Sequence, residues 1–167
     1  FIPVIYGGHL NSLSYIDNLF QIGIDRVLLN NELFKEKNIG KKLIEIYGSQ
    51  ALLASIDCNE FGLDNICFNK RNKNKIKQVI DQIKYLSSIN VTEIMFNSPQ
   101  KDGRREGYAI NNKTKDLIDF CESESISTIF MGGAWTKEDF LLGAKLGVSG
   151  LAAANCFHYK EAFPLVV

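Results

Sequence analysis

Residues Ser127 to Asn155, with the sequence STIFMGGAWTKEDFLLGAKLGVSGLAAAN, give the clearest indication of the fold. The stretch opens with an apolar, β-rich run, typical of a buried strand, which ends in Gly132-Gly133. A segment with weak helical periodicity follows, Gly147 ends it, and a second apolar run leads to Asn155. The stretch therefore predicts, in order, a strand, a glycine pair, a helix, a glycine, a second strand and an asparagine.

The same order of features occurs about 124 residues earlier, in IPVIYGGHLNSLSYIDNLFQIGIDRVLLNN at residues 2–31. Corresponding positions are Gly8 and Gly133, Gly23 and Gly147, and Asn31 and Asn155. The copies lie four strand steps apart, and two halves of four βα units would make an eight-stranded TIM barrel of about 250 residues. The chain has 167 residues, so we predict that two units, or about 80 residues, are missing and precede Phe1.

Six apolar runs predict strands, and most are continuous rather than alternating, as in a parallel sheet covered on both faces. They are Ile2–Tyr6, Arg26–Leu29, Ala51–Ile56, Glu93–Phe96, Ser127–Met131 and Gly150–Ala154. The predicted helices are Ser12–Gln21, Lys73–Ser88, Asn112–Cys121 and Lys137–Lys145, and a polar loop is predicted at Asn69–Lys75. The predicted fold is α/β, an incomplete TIM (β/α)8 barrel with strands 3–8. Residues 1–167 are expected to form a single domain, the C-terminal three quarters of a phosphate-binding barrel.

Composition excludes several functional classes. The sequence has 19 basic residues (lysine and arginine) and 19 acidic residues (aspartate and glutamate). The net charge is therefore zero, which gives no electrostatic reason to expect a nucleic acid or an anionic membrane as partner. The four cysteines form no C-x-x-C pair and only two histidines exist, which argues against structural zinc and favours free buried thiols. No apolar run approaches the roughly 18 residues of a membrane span. We expect a cytoplasmic protein with no metal and no cofactor.

In a TIM barrel the active site lies at the carboxyl ends of the strands, so polar and glycine residues there are the candidates for function. Those positions are Gly7-Gly8-His9, Asn30-Asn31, Asp57, Asn97-Ser98, Asp102-Gly103, Gly132-Gly133 and Ala154-Asn155. Glycine pairs let backbone N–H groups approach a phosphate, and a following helix N-terminus adds a favourable dipole. Two symmetric copies indicate two phosphates, although either pair alone could simply form a tight turn.

For several other residues near the strand ends, the sequence allows two interpretations of their role. Asp57 ends the most apolar strand, where a desolvated acid can exchange protons near neutral pH, but a turn aspartate also fits. Asp102 with its following glycine is also a strong turn signal. His9 is either a substrate contact or an exposed loop histidine. Trp135 is either a rim aromatic or a contact for a substrate ring.

Several ordered runs across almost the whole chain resemble the cyclase subunit of imidazole glycerol phosphate synthase, an enzyme of histidine biosynthesis. They are Gly48-Ser49-Gln50, Ala54-Ser55-Ile56-Asp57, Thr92 to Ser98, Lys101-Asp102-Gly103, Glu106-Gly107-Tyr108, Met131 to Ala134 and Ala152 to Tyr159. The resemblance implies a lyase that closes an imidazole ring and cleaves a phosphoribulosyl substrate. It uses two aspartates as acid and base, and ammonia from a glutaminase (glutamine amidotransferase) partner.

The resemblance also assigns roles to individual residues. Asp57 matches the catalytic aspartate of the fifth barrel strand, whereas its partner belongs to the first strand, which this chain lacks. The implied substrate and phosphate contacts are Gly8, Asn30, Asn31, Asp102, Gly103, Gly133, Ala154 and Asn155. At the barrel floor, Arg26 and Glu93 match a charged gate for ammonia. The fragment alone is expected to be inactive, because it holds one acid of the pair.

Departures from the family pattern keep other functions open. They are His9 in place of a third glycine, Gln100 and Ala109 in place of aspartates, Met131 in place of a serine, a loop at Lys70–Lys75 without glycine, and Asn155 after three alanines. The last resembles a paralogue of surface-polysaccharide pathways that is paired with sugar amidotransferases. The alternatives are therefore a non-catalytic or ammonia-conducting partner of such an amidotransferase, and another phosphate-binding barrel enzyme such as a sugar-phosphate isomerase.

Overall fold

The computed structural model describes residues 2–35, 39–67 and 78–158. Its strands pair in chain order into one six-stranded sheet, and every neighbouring pair is parallel. The strands are β1 (Ile5–Gly7), β2 (Arg26–Leu29), β3 (Leu52–Asp57), β4 (Glu93–Asn97), β5 (Ser127–Met131) and β6 (Gly150–Ala152). Helices connect them, so the predicted α/β class is confirmed as six consecutive parallel strands of an incomplete TIM-type barrel, with helices alternating between them.

Five α-helices lie between the strands. They are α1 (Leu13–Gln21), α2 (Ile39–Tyr47), α3 (Val79–Ser88), α4 (Thr114–Ser123) and α5 (Lys137–Leu146). The two helices of the duplicated module begin in the same way. Ser12 Oγ accepts a hydrogen bond from the Tyr15 backbone N–H before α1, and Thr136 forms a capping box with Asp139 before α5.

The two faces of the sheet have different surroundings. One face packs on the helices through residues that alternate along each strand, and all of these are buried: Val27, Leu29, Ala54, Ile56, Ile94, Phe96 and Phe130. The other face, defined by the register, carries Leu28, Leu53, Ser55, Met95 and Ile129. The polar residues at both ends of the strands also belong to this second face. The sequence pattern thus separates an apolar helix-facing layer from an inner face that can hold a site.

The predicted strands are confirmed, with different ends for some. The bounds of β2 and β5 are as predicted, whereas β1 begins at Ile5. The backbone N–H of the preceding Val4 donates to the Asp25 carboxylate at 2.7 Å rather than to a backbone carbonyl. The strand β6 ends at Ala152 rather than Ala154, shortly before a 3-10 helix over Asn155–His158. The predicted loop at residues 69–75, and the predicted helical residues 73–77, lie outside the described residues.

Helix α2 was not predicted. Its signal is present, since Ile39, Leu43, Ile44 and Tyr47 recur at helical spacing, and Leu43 is fully buried. The helix contains Gly40, and glycine lowers helix propensity by about 1 kcal/mol. Gly40 is itself buried, so the absence of a side chain there is compatible with close packing. Tertiary burial outweighs local propensity in this segment.

The four cysteines, Cys58, Cys67, Cys121 and Cys156, are buried and free, as predicted. Burial raises the pKa of the Cys67 and Cys121 thiols to about 12, which keeps both protonated at neutral pH and makes them packing residues. Within the described ranges, no three histidine, cysteine or acidic side chains cluster in a way that could hold a metal ion. No helix in the same ranges is both long and apolar enough to cross a membrane.

Candidate functional site

Because all six strands are parallel, the loops that follow them lie at one edge of the sheet. Five of the predicted contact residues line one pocket there: Asp102, Gly103, Gly133, Ala154 and Asn155. Arg105, Met131, Gly132, Ala134, Trp135 and Ala153 complete its lining. We call this the Asn155 pocket. The three loops after β4, β5 and β6 build it together.

The glycine pair after β5 is held against the neighbouring loop. The Gly107 backbone N–H donates to the Gly133 carbonyl at 2.9 Å, and the Ser98 N–H donates to the Met131 carbonyl at 3.1 Å. Both glycines have a left-handed backbone, with φ of 103° at Gly132 and 89° at Gly133. A Cβ on Gly132 would lie 2.6 Å from the Ser98 carbonyl oxygen, and one on Gly133 would meet the Gly107 carbonyl closer still. Glycine is therefore required at both positions by the packing of this edge.

A second pocket gathers the predicted contacts of the first repeat, Gly8, Asn30 and Asn31, with His9, Leu10, Leu28, Leu29 and Glu32. We call this the Asn31 pocket. In each repeat the asparagine opens a short 3-10 helix, Asn31–Phe34 in one and Asn155–His158 in the other. The duplication in the sequence thus corresponds to a duplication in the structure.

Side chains cap the N-termini of the two helices that follow the glycine pairs. Asp139 Oδ2 accepts hydrogen bonds from the backbone N–H groups of Trp135 (2.8 Å) and Thr136 (2.7 Å). Ser12 serves the same purpose at α1. These caps occupy the N–H groups of Trp135 and Thr136 directly before α5, and the N–H group of Tyr15 in the first turn of α1. Donors for an anion would come from the other N–H groups of this edge, including those of the glycine turns and the start of each 3-10 helix.

Asp57 ends β3 at the same edge but lines neither pocket. It is half-buried, and the side-chain amide of Asn97 donates to its Oδ1 at 2.9 Å. The two residues are direct register partners on β3 and β4, so the sheet itself sets this contact. The hydrogen bond fixes one carboxylate oxygen and holds the group at the carboxyl edge of the inner face.

The predicted gate residues meet at the opposite end of the strands. Arg26 begins β2 and Glu93 begins β4, and their side chains form an ion pair across β3. Arg26 also donates to the Leu52 carbonyl at 3.4 Å. Both side chains are only about a quarter exposed, at 25% and 22%. The pair therefore lies at the amino-terminal end of the inner face, away from both pockets.

Two features of the site were missed at the level of sequence. The sequence indicates Asn97 only as a polar residue at a strand end. Its contact with Asp57 depends on the register of β3 and β4, which the sequence alone does not specify. The stacking of Arg105 on Trp135, with 3.8 Å from guanidinium carbon to ring centre, joins two separate loops. The position of Trp135 directly after the Gly-Gly-Ala turn was the one available signal.

His9 occupies a backbone conformation that favours glycine, with φ of 56°, and its side chain is exposed in the Asn31 pocket. We expect His9→Gly to stabilise the fold by about 1 kcal/mol and to strengthen phosphate binding in that pocket. Urea denaturation and titration with phosphate, observed at the Asn31 amide, measure the two effects.

Asn90→Gly is the matched control, because Asn90 has the same left-handed backbone (φ 63°) but lies in the turn after α3. It should change stability similarly and leave phosphate binding unchanged. If both variants changed phosphate binding equally, the effect of His9 would not be local to the pocket.

Six parallel strands joined by five helices, with duplicated glycine turns and an aspartate at the carboxyl edge, place the chain in the class of TIM-type barrels. Comparison with known proteins defines the family. Residues 1–162 match the family described as "Histidine biosynthesis protein", and the chain belongs to that family.

Relatives include several subunits of imidazole glycerol phosphate synthase. The subunit HisF of Endomicrobium trichonymphae is 32% identical over 166 residues, covering 96% of this chain and 61% of the relative. HisF of a Hydrogenobaculum species is 32% identical, with 96% and 64% covered, and HisF of Sulfolobus acidocaldarius is 32% identical, with 94% and 61% covered. The chain spans about three fifths of the length of these curated relatives. The predicted resemblance is confirmed.

Proposed function

We propose that residues 1–167 are the C-terminal three quarters of a phosphate-binding barrel that acts as a cyclase subunit of the imidazole glycerol phosphate synthase type. The observation that carries the proposal is the arrangement of one edge: two repeat-related pockets, and Asp57 at the end of a strand between those that supply them. A substrate with a phosphate at each end would bind in both pockets and present its middle to the inner face.

Asp57 is the proposed acid–base residue. It lies at the end of an otherwise buried strand, and Asn97 orients its carboxylate through Oδ1. A positioned carboxyl group of this kind transfers protons during ring closure and bond cleavage. The second acid of the pair would come from the first strand of a complete barrel, outside the six strands of this chain.

The Arg26–Glu93 ion pair is the proposed gate for ammonia. It lies at the end of the inner face opposite to Asp57, so ammonia entering there would travel along the inner face toward the site. The path would run past Leu53, Ser55 and Met95, which are all shielded from solvent. The partner would be a glutaminase docked at this amino-terminal end, and both would work in the cytoplasm.

A second candidate function is a non-catalytic or ammonia-conducting subunit that assists a sugar amidotransferase. The observation that favours it is His9, whose side chain stands in the Asn31 pocket at a left-handed position suited to glycine. A histidine there would crowd a phosphate group. This candidate keeps the gate and the barrel but requires no proton transfer at Asp57.

Titration with inorganic phosphate, followed by amide NMR, tests the proposed anion sites. We expect the amide resonances of Gly133 and Asn155 to shift at the lowest phosphate concentrations. Those of Gly8 and Asn31 should shift at higher phosphate concentrations, because the His9 side chain crowds the Asn31 pocket. Gln100 is exposed and lines neither pocket, and its amide serves as the reference. The absence of any shift in both pockets would reject phosphate binding by this edge.

A further inference from the structure

The rim of the Asn155 pocket carries a stacked cation and aromatic ring. The guanidinium carbon of Arg105 lies 3.8 Å from the centre of the Trp135 ring, and both residues line the pocket together with Gly103, Gly133 and Asn155. At this distance the ring quadrupole attracts the cation. Arg105 belongs to the loop after β4 and Trp135 to the loop after β5, so the stack joins two loops across the pocket mouth.

Backbone contacts on both sides hold the stack. The hydrogen bond from Gly107 to Gly133 ties the two loops together, and the Trp135 N–H donates to Asp139 Oδ2 at 2.8 Å. Arg105 has a left-handed backbone with φ of 63°. Such conformations are unfavourable for residues other than glycine and cluster at binding and catalytic sites. Arg105 therefore lies in a strained part of the loop at the rim of the pocket.

The charged side chains that line the Asn155 pocket indicate a role for the Arg105 guanidinium. Among the described residues that line it, Arg105 is the one cationic side chain and Asp102 the one anionic side chain. A phosphate bound near Gly133 would be repelled by the Asp102 carboxylate. The guanidinium of Arg105 offsets that charge on the same rim, and the backbone donors of the glycine turn remain directed at the anion.

We infer that Arg105, held by Trp135, is the charged side-chain ligand of a phosphate monoester in the Asn155 pocket. This inference rests on the phosphate-binding function proposed above. A stacked guanidinium presents its flat face to the ring, while its N–H donors lie in its plane and suit two phosphate oxygens. Lysine could supply the charge but not this planar arrangement.

Trp135 is the one tryptophan in the sequence, so its fluorescence reports directly on the stack. Inorganic phosphate is titrated at constant ionic strength, and fluorescence and the Gly133 and Asn155 amides are followed together. Arg105→Gln removes the charge and keeps a polar side chain. The matched control is Arg104→Gln, since Arg104 is the adjacent exposed arginine and does not line the pocket.

We expect Arg105→Gln to weaken phosphate binding by about tenfold or more, because it loses charge-assisted hydrogen bonds. Arg104→Gln should stay within about twofold of the parent chain, since it changes only the general field. Thermal unfolding checks that both variants retain the fold, which the exposure of both side chains favours.

The outcomes separate this inference from the proposal on which it rests. If the parent chain shifts the Gly133 and Asn155 amides and Arg105→Gln does so with equal affinity, the role of Arg105 is wrong and the phosphate site stands. Equal losses in Arg104→Gln and Arg105→Gln would also overturn it, because they would show a nonspecific charge effect. If phosphate leaves the parent chain unchanged, both the site and its arginine ligand are rejected.

Discussion

Replacement of Asp57 by asparagine is expected to lower ammonium-dependent turnover by about 10²–10⁴-fold, the usual contribution of a positioned acid–base group. Asparagine keeps the shape of the side chain, and its oxygen can still accept the hydrogen bond from Asn97. It cannot exchange a proton. Substrate affinity should change little, because binding rests on the two pockets rather than on Asp57, which lines neither.

The assay uses the barrel completed by a first and second βα unit, with free ammonium as nitrogen source, so that the glutaminase step is bypassed. Separate values of kcat and KM distinguish lost chemistry from lost binding. Asp64→Asn is the matched control, since Asp64 is an exposed aspartate paired with Lys113 on the surface. Turnover close to normal in Asp57→Asn would show that Asp57 is a structural residue at the barrel rim. The non-catalytic, ammonia-conducting function would then be the better supported of the two candidates.

The sequence predicts much of the fold because strand burial and chain order are local signals. Continuous apolar runs predict β2 and β5 with their observed ends, since both strands are covered on their helix-facing side by residues such as Val27 and Phe130. The duplicated glycines and asparagines predict the two pockets, because parallel strands bring equivalent loops to one edge. Repetition in the chain thus carries information that a single Gly-Gly pair does not.

The remaining features depend on contacts between segments far apart in the chain. The Asp57–Asn97 hydrogen bond needs the register of β3 on β4, and the Arg105–Trp135 stack needs two loops locked by Gly107 and Gly133. Helix α2 contains Gly40, which lowers the helix propensity of the segment, and the burial of Leu43 against the core stabilises the helix. No pattern of residue types alone specifies these contacts.

Gly133→Ala is expected to destabilise the fold by about 3–5 kcal/mol. Two costs combine. The backbone at φ of 89° disfavours any L side chain, and the added Cβ would collide with the Gly107 carbonyl oxygen, a backbone atom that cannot rotate away. The collision would also break the Gly107–Gly133 hydrogen bond that joins the loops after β4 and β5. Urea denaturation, at constant m-value, measures the loss.

Gly8→Ala is the matched control, because Gly8 is the repeat equivalent of Gly133. Its φ is 112°, but a Cβ there would have no atom within 4 Å. Only the backbone cost applies, so the expected loss is about 1–2 kcal/mol. The difference between the two variants isolates the collisions of the added Cβ with the Gly107 carbonyl and the Lys101 side chain. Equal losses at Gly8 and Gly133 would show that the loops separate easily, and that the close packing at Gly133 does not hold the Asn155 pocket together.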